Sequence, residues 1–303
     1  MTNGALSLRD RNAERLSTLA FLSTHAGQLR VGLPVAERQG YFGAMSEHEF
    51  SLPMTARASG SLQVFLLGMV DFESALRLQE RFRDEVIQRD DRLGGLFICE
   101  HPPVVTIGRE GSQTHLRRDV SEFNKLGIEI RWLNRGGGAW MQCPGQIAVY
   151  PIVPLQRLGL GLAEYRQLLE LAALDVCREL HVSAHRIEEE PGVFSPLGQL
   201  AAVGVAVRSW VTTHGLTFNV RPDLSLLRST RPNVRGLRPT SLEAVWQRLT
   251  AIPKVRESLI RNLTERLGYM QSHVFTGVPG LKRTKRRVFA TPFEERFYPD
   301  AKN

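Results

Sequence analysis

Residues Arg135 to Pro151 read R-G-G-G-A-W-M-Q-C-P-G-Q-I-A-V-Y-P. The opening Arg135-Gly136-Gly137-Gly138 predicts a turn that a bulky residue could not follow. Glycine has no Cβ, so it tolerates positive φ and lets another group approach the backbone closely. The closing run, Ile147 to Val153, is apolar and partly β-branched and predicts a buried strand. Pro151 fits there at a bulge or strand end, because it cannot donate to a ladder. Gln142-Cys143-Pro144-Gly145-Gln146 forms a polar, cysteine-bearing hinge between the two. A glycine-rich loop feeding a buried strand can gather backbone N–H groups around a ligand. The same pattern also suits a plain turn between two strands.

Working outward, the folded part is expected to begin near Leu62, with Val64–Leu67 as a first strand. Asp71 is placed to cap a helix, with Ser74 three residues on. Phe72, Ala75, Leu76, Leu78, Gln79, Phe82, Val86 and Ile87 then follow helical spacing. Leu96–Cys99 and Val104–Ile107 predict strands separated by Glu100-His101-Pro102-Pro103. Ile128, Ile130, Trp132 and Leu133 lead into the glycine turn as another. Downstream, a second helix is expected from about Ala163 to Leu180 and a third from Val255 to Leu267, closed by Gly268. Glu188, Glu189 and Glu190, just before Pro191, predict a loop. Strands are expected at Gly192–Phe194 and Ala201–Val207, and from Val211 to Val220 with an interruption at Gly215. Strands with a few helices and no regular alternation indicate an α+β fold.

The chain has 303 residues, 42% of them hydrophobic, which suffices for a sizeable core. Its formal net charge of +8 favours acidic partners. Part of the excess is a C-terminal run, Lys282, Arg283, Lys285, Arg286 and Arg287, without the interleaved aromatics of a nucleic-acid platform. Three widely spaced cysteines, Cys99, Cys143 and Cys177, form neither a disulfide framework nor a CxxC metal pair. They fit a reducing, cytoplasmic setting. Cys177, among apolar helix positions, reads as an inert core residue. No apolar run is long enough to span a bilayer, and the N-terminus lacks the apolar core of a secretory signal. Three segments are expected: a poorly ordered extension over 1–60, a folded domain over 61–245, and a C-terminal helix with a basic tail over 246–303.

Several ordered blocks resemble the octanoyltransferases of lipoate biosynthesis. These are L-G-M-V-D-F-E-S-A-L-R-L-Q-E at 67–80, E-H-P-P-V-V-T-I-G at 100–108 and R-G-G at 135–137. P-G-Q at 144–146, Y-P-I at 150–152, A-A-V-G at 201–204, H-G at 214–215, N-V at 219–220 and D-L at 223–224 follow in family order. The resemblance covers roughly residues 62–245. It implies the biotin/lipoyl protein ligase fold, with an acyl tunnel beneath the glycine-rich loop. It also implies transfer of an octanoyl group from acyl carrier protein to a lipoyl-domain lysine, without cofactor or metal. The substrate-binding positions it implies are Arg135, Gly136, Gly137, Gly138, Ala139, Trp140, Met141 and Gln142, then Ala202, Val203 and Gly204, then His214, Gly215, Leu216 and Thr217.

The chain departs from the family pattern at the reactive centre. The family's cysteine nucleophile is activated by a nearby lysine. Gln199 stands at the lysine position and Asn233 at the cysteine position. Val234 replaces a glycine, and Gln142 replaces a histidine. Three readings follow. The chain transfers octanoyl groups by another route, through Cys143 as a relocated nucleophile or by direct attack of the target lysine on the thioester. Alternatively, it is an inactive relative that binds acyl groups or lipoyl domains. The last-ranked reading is a nucleic-acid-associated regulator acting through the basic tail. The ordinary alternative for Cys143 is a small buried apolar residue. For His214 it is a hydrogen-bonded structural histidine at a strand kink.

Overall fold

The computed structural model describes residues 60–232, 235–279 and 281–284. The extension expected over 1–60, apart from Gly60, lies outside the described residues, as do Asn233, Val234, Lys285, Arg286 and Arg287. The chain runs through β1 (Ser61–Met69), α1 (Phe72–Ile87), β2 (Gly94–Glu100), β3 (Val104–Ile107), α2 (Val120–Lys125), β4 (Glu129–Trp132), β5 (Ala139–Gln142) and β6 (Gln146–Ile152). It continues through α3 (Leu155–Leu158), α4 (Leu162–Glu179), β7 (His185–Ile187), β8 (Glu190–Ser195), β9 (Gly198–Arg208) and β10 (Val211–Asn219). The last elements are α5 (Leu224–Leu227), α6 (Leu242–Trp246), α7 (Ile252–Arg266) and β11 (Gln271–Phe275).

The strands build an eight-stranded mixed sheet, ordered β11-β1-β2-β6-β10-β9-β8-β7, and a three-stranded sheet, β4-β3-β5. This is the α+β architecture expected. Asp71 caps α1 as anticipated, its Oδ1 accepting the Ser74 N–H at 2.8 Å. Phe82 and Val86 of α1 bury against Phe97, Tyr150 and Ile152 of the large sheet. Val105, Ile107, Phe123, Ile128, Met141, Cys143 and Leu226 form a second cluster behind the small sheet. The loop expected before Pro191 is a tight one: Glu188 and Glu189 form the turn, while Glu190 already opens β8, pairs with Ile187 and is buried. Among the described residues, α7 and β11 pack into the same body as the elements before 245. α7 is tied to α4 through Glu179, which accepts from Ser258, Arg261 and Asn262. β11 adds a parallel strand beside β1. No helix among the described residues is long and apolar enough to cross a membrane.

The interruption expected at Gly215 falls one residue earlier and has a clear cause. Leu216 of β10 pairs with Val149 of β6, and the Thr212 N–H donates to the Val153 carbonyl. Counting inward from both contacts places His214 opposite Pro151. Pro151 has no N–H to offer, so the ladder fails there. Its carbonyl accepts instead from Thr212 Oγ1 at 2.7 Å and the Tyr165 hydroxyl at 3.3 Å. His214 turns to φ 59°, and its N–H donates to Gln79 Oε1 of α1 at 2.8 Å. Gly215 is needed beside it, because a Cβ there would lie 2.3 Å from the Val149 carbonyl oxygen and 2.6 Å from Pro151 Cδ. Gln79 is thus the polar residue in the buried stripe of α1 because it accepts a strand N–H that the turn at His214 directs away from β6, whose Pro151 carbonyl is already occupied.

Gln79→Leu keeps the shape but removes the acceptor. It is expected to destabilise the fold by about 1–3 kcal/mol, the cost of a buried unsatisfied N–H. Urea unfolding measures this, and a loss below about 0.5 kcal/mol would mean that another acceptor replaces Gln79.

Candidate functional site

The loop between β4 and β5 is held by a buried arginine. Arg135 Nη2 donates to the Thr106 carbonyl at 2.9 Å and to Thr106 Oγ1 at 2.8 Å, and Nη1 donates to the Gly136 carbonyl at 2.9 Å. Its guanidinium carbon lies 3.6 Å from the ring centroid of Trp140. Burial pushes the Arg135 pKa down to about 9, so it remains cationic at neutral pH. The loop glycines answer to this packing. A Cβ on Gly137, whose φ is 82°, would come within 3.0 Å of the Trp140 ring. One on Gly138 would come within 2.9 Å of the Pro232 carbonyl oxygen, which also accepts from Trp140 Nε1 at 3.3 Å. The loop backbone is largely bonded within the protein. The Gly136 N–H donates to Val205 O, and the carbonyls of Arg135, Gly137 and Gly138 accept from Arg109, Glu110 and Gly108.

Two narrow cavities meet at Trp140 and Thr217. The first is lined by Phe72, Leu133, Arg135, Trp140, Gln142, Tyr150, Gly204, His214, Gly215, Leu216 and Thr217. The second is lined by Trp140, Met141, Gln146, Gln199, Ala202, Thr217, Asn219, Leu227, Thr230, Pro232 and Pro239. Sequence reasoning therefore assembled much of one place: Arg135, Trp140, Met141, Gln142, Ala202, Gly204 and His214 to Thr217 all face these cavities. Ala139 instead packs in the cluster behind the small sheet, and Val203 is buried within β9 without lining either cavity. Gly136, Gly137 and Gly138 shape the loop rather than the lining. A wider groove of about 670 Å³ lies between α7 and β11 and includes none of the expected site residues.

The polar groups at the junction are neutral amides bonded to one another. Gln142 Nε2 donates to Thr217 Oγ1 at 3.0 Å, and Gln146 Nε2 donates to Asn219 Oδ1 at 2.8 Å. Asn219 Nδ2 donates in turn to the Gln199 carbonyl at 3.2 Å. The Gln199 carboxamide lies 3.3 Å from the Ala201 carbonyl oxygen, to which it donates. Gln199 thus meets the second cavity as an uncharged group.

None of the three thiols lines either cavity. Cys143 is 1% exposed and packs among Val105, Phe123, Met141 and Leu226. Its N–H donates to Gln146 Oε1 at 2.6 Å. Burial raises the Cys177 thiol to about 12 and the Cys99 thiol further still. No group of metal-ligating residues occurs among the described residues.

One pair escaped sequence reasoning, which read His101 as part of a strand stop and Tyr150 as core. His101 Nδ1 lies 2.7 Å from the Val70 carbonyl oxygen, an acceptor only, so Nδ1 carries the proton. Nε2, 2.8 Å from the Tyr150 hydroxyl, therefore accepts from it. This aims the Tyr150 ring along the first cavity. Burial holds His101 down to about 4, against a smaller upward pull from the Val70 hydrogen bond. Burial, assisted by the charge of Arg135, holds His214 down to about 3. The signal in the sequence was that both residues lie in motif blocks, E-H-P-P at 100–103 and Y-P-I at 150–152, whose pairing is not written locally.

The fold is one shared with lipoate protein ligases. The bi-partite lipoate protein ligase of Thermoplasma acidophilum superposes on 72% of this chain and 88% of its own, with a TM-score of 0.55 at 18% identity. The pattern of the lipoyl protein ligase A/B catalytic domain matches residues 71–264, and the chain belongs to that family. The octanoyltransferase of Geobacter metallireducens is 36% identical over 211 residues, covering 68% of this chain and 95% of its own. That of Geotalea uraniireducens is 37% identical over 184 residues, covering 60% and 82%.

Two outcomes follow from this geometry. A Cβ on Gly204 would lie 2.4 Å from the Gly136 carbonyl oxygen and 2.7 Å from Trp140 Cη2. Gly204→Ala is therefore expected to displace Trp140, shift its fluorescence and destabilise the fold by about 1–3 kcal/mol. The second concerns acid. Both buried histidines have folded-state values below the ordinary 6.5, so their contribution is intact above 6.5 and lost as pH falls toward 4. Unfolding free energy should fall across that window. His214→Asn, which tolerates the positive φ, should reduce the slope by up to about 1.4 kcal/mol per pH unit. An unchanged slope would show that His214 is not one of the titrating groups.

Proposed function

We propose that this chain is an octanoyltransferase-type protein of lipoate biosynthesis that works without an acyl-enzyme intermediate. In this reading it takes the octanoyl group of acyl carrier protein into the cavities at Trp140 and presents the thioester to a lipoyl-domain lysine. The observation that carries the activity class is the family membership, together with the Arg135–Trp140 loop around which the cavities form. The route is inferred from the chemistry of the lining. All three cysteines lie elsewhere, and Gln199 and Gln142 cannot activate a thiol. Cys143 then serves the core, and Gln199 and Asn233 stand as neutral polar groups where the family has its dyad. Arg135, Gly136, Gly137, Gly138 and Ala139 position the loop, and Trp140, Met141, Gln142, Ala202, Gly204 and His214 to Thr217 enclose the acyl thioester.

The reaction would be a direct aminolysis. The lysine nitrogen bonds to the acyl carbon, the C–S bond breaks, and the nitrogen's proton leaves with the carrier thiol. Holding both partners in reactive geometry can lower a barrier by up to about 7–11 kcal/mol, so proximity can do much of the work of a covalent catalyst. A reducing cytoplasm, with the carrier thiol free to leave, is the fitting compartment. A second reading, an acyl-binding relative without turnover, is favoured by one specific observation. The amides of Gln142, Gln146, Gln199 and Asn219 provide no group that exchanges a proton near neutrality.

Intact-mass spectrometry after incubation with octanoyl acyl carrier protein and a lipoyl domain distinguishes these outcomes. The expected result is an octanoylated lipoyl lysine and no hydroxylamine-labile adduct on the enzyme. An adduct present on the wild type and absent from Cys143→Ser would make Cys143 the nucleophile and overturn the direct route. Octanoyl binding with no modified lipoyl domain would establish the second reading.

A further inference from the structure

Three exposed arginines that the acyl chemistry does not use stand beside the wall of the second cavity, next in the chain or across a ribbon from residues that line it. Residues 115–117 and 229–231 pair as a short antiparallel ribbon. Arg117 N–H donates to Ser229 O at 2.9 Å, Arg231 N–H donates to His115 O at 2.8 Å, and Leu116 bridges Thr230. In such a ribbon alternate residues face opposite ways. Thr230 faces the cavity and Leu116 the core beside it, so Arg117 and Arg231 share the opposite face, with the buried Ser229 between the ribbon and the core. They are diagonal neighbours across the two strands, and both are exposed. Arg231 directly precedes Pro232, and Arg238 directly precedes Pro239; both prolines line the cavity. Arg238 is also exposed, and its carbonyl accepts the Gln199 N–H at 2.9 Å.

These charges stand close to one another, and no carboxylate among the described residues pairs with them. Partial burial, and then the charges of Arg231 and Arg238, hold the Arg117 guanidinium below its usual range. Neighbouring Arg118 and Arg235 pair with Glu122 and Glu189, whereas none of these three arginines has a carboxylate partner among the described residues. Like charges left unpaired around an opening repel one another, and an anionic partner relieves that repulsion while being steered to the opening.

We infer that Arg117, Arg231 and Arg238 form a docking rim for the anionic surface of the carrier protein that delivers the acyl thioester. The carrier's carboxylates and the phosphodiester of its prosthetic arm would meet the guanidinium groups while the uncharged acyl thioester enters past Pro232 and Pro239. This inference rests on the proposed octanoyl chemistry. It adds that recognition of the carrier is separable from recognition of the acyl group.

Two probes separate the two recognitions: octanoyl acyl carrier protein and uncharged octanoyl-pantetheine. In Arg117→Glu/Arg231→Glu, association with the carrier protein at low ionic strength is expected to slow by about tenfold or more, with a flattened salt dependence. Octanoyl-pantetheine binding should stay within about twofold, a change of less than roughly half a kcal/mol. Arg81→Glu/Arg178→Glu, with the same change in net charge on α1 and α4, should leave carrier association near wild type. Equal slowing in that control would attribute the effect to net charge and overturn the rim. Unchanged carrier association in the rim variant, or parallel loss of octanoyl-pantetheine binding, would also overturn it. A wild-type protein that binds octanoyl-pantetheine but not the carrier rejects the rim and leaves the acyl reading standing. One that binds neither rejects the acyl reading itself.

Discussion

The buried guanidinium of Arg135 constrains the rest of the site. A charge removed from water is tolerated only when oxygens or π-faces replace its hydration. Here the Thr106 carbonyl, Thr106 Oγ1, the Gly136 carbonyl and the Trp140 ring do so. Each partner comes from a different step of the chain: β3, the loop itself and β5. Closing the loop over the arginine then dictates where side chains are forbidden. A Cβ on Gly108 would lie 2.4 Å from the Gly137 carbonyl oxygen and 2.7 Å from Arg135 Nη1, and Gly204 is similarly enclosed by Gly136 and Trp140. The glycines at 108, 137 and 204, far apart in sequence, are therefore consequences of one cation and one indole. Lysine could not substitute for the arginine, because a point charge offers neither the planar fork nor the stacking face.

That same arrangement holds the pocket's walls without help from a reactive group. The cavity walls derive from glycine contacts, Trp140 and strand backbone, none of which depends on a thiol or an ammonium. The polar lining is made of carboxamides, each bonded within the protein: Gln142 to the Thr217 hydroxyl, Gln146 to Asn219, and Asn219 to the Gln199 backbone carbonyl. A buried polar network is tolerable when its members are paired. Amides achieve this without titrating, so the junction has the same charge across the physiological pH range. The histidines beside it are also neutral there, because burial opposes their protonation.

What was legible in the sequence was whatever is written locally. The glycine turn, the apolar strand after it, the Asp71 cap and the periodicity of α1 and α4 are encoded within a few residues of where they act. The order of motif blocks then placed most of the cavity lining. What was not legible depends on pairings across long separations. The kink at His214 was expected at Gly215, because glycine is the visible breaker, but the cause is Pro151 on the neighbouring strand. Gln79 looked like an ordinary member of a helical stripe until β10 supplied an N–H for it to accept, 135 residues away in sequence. His101 lacked meaning without the Val70 carbonyl and the Tyr150 hydroxyl that fix its tautomer. β11 was missed because Gln271–Phe275 is short and exposed, and becomes a strand only through the edge that β1 offers.

The distribution of charge separates the outside of the site from its interior. At the junction of the cavities the lining polar groups are amides and a hydroxyl, and the nearest cation, Arg135, is enclosed by its own loop. Beside the cavity wall, three arginines are exposed without carboxylate partners among the described residues. A charge at the rim acts through solvent over about 8–10 Å before salt screens it, far enough to orient an approaching acidic protein. The same charge inside would have to be desolvated and would impose a cost on an apolar acyl chain entering beside it. In the proposed reading, cations outside and amides inside let affinity for the carrier and accommodation of its acyl group be set by different residues.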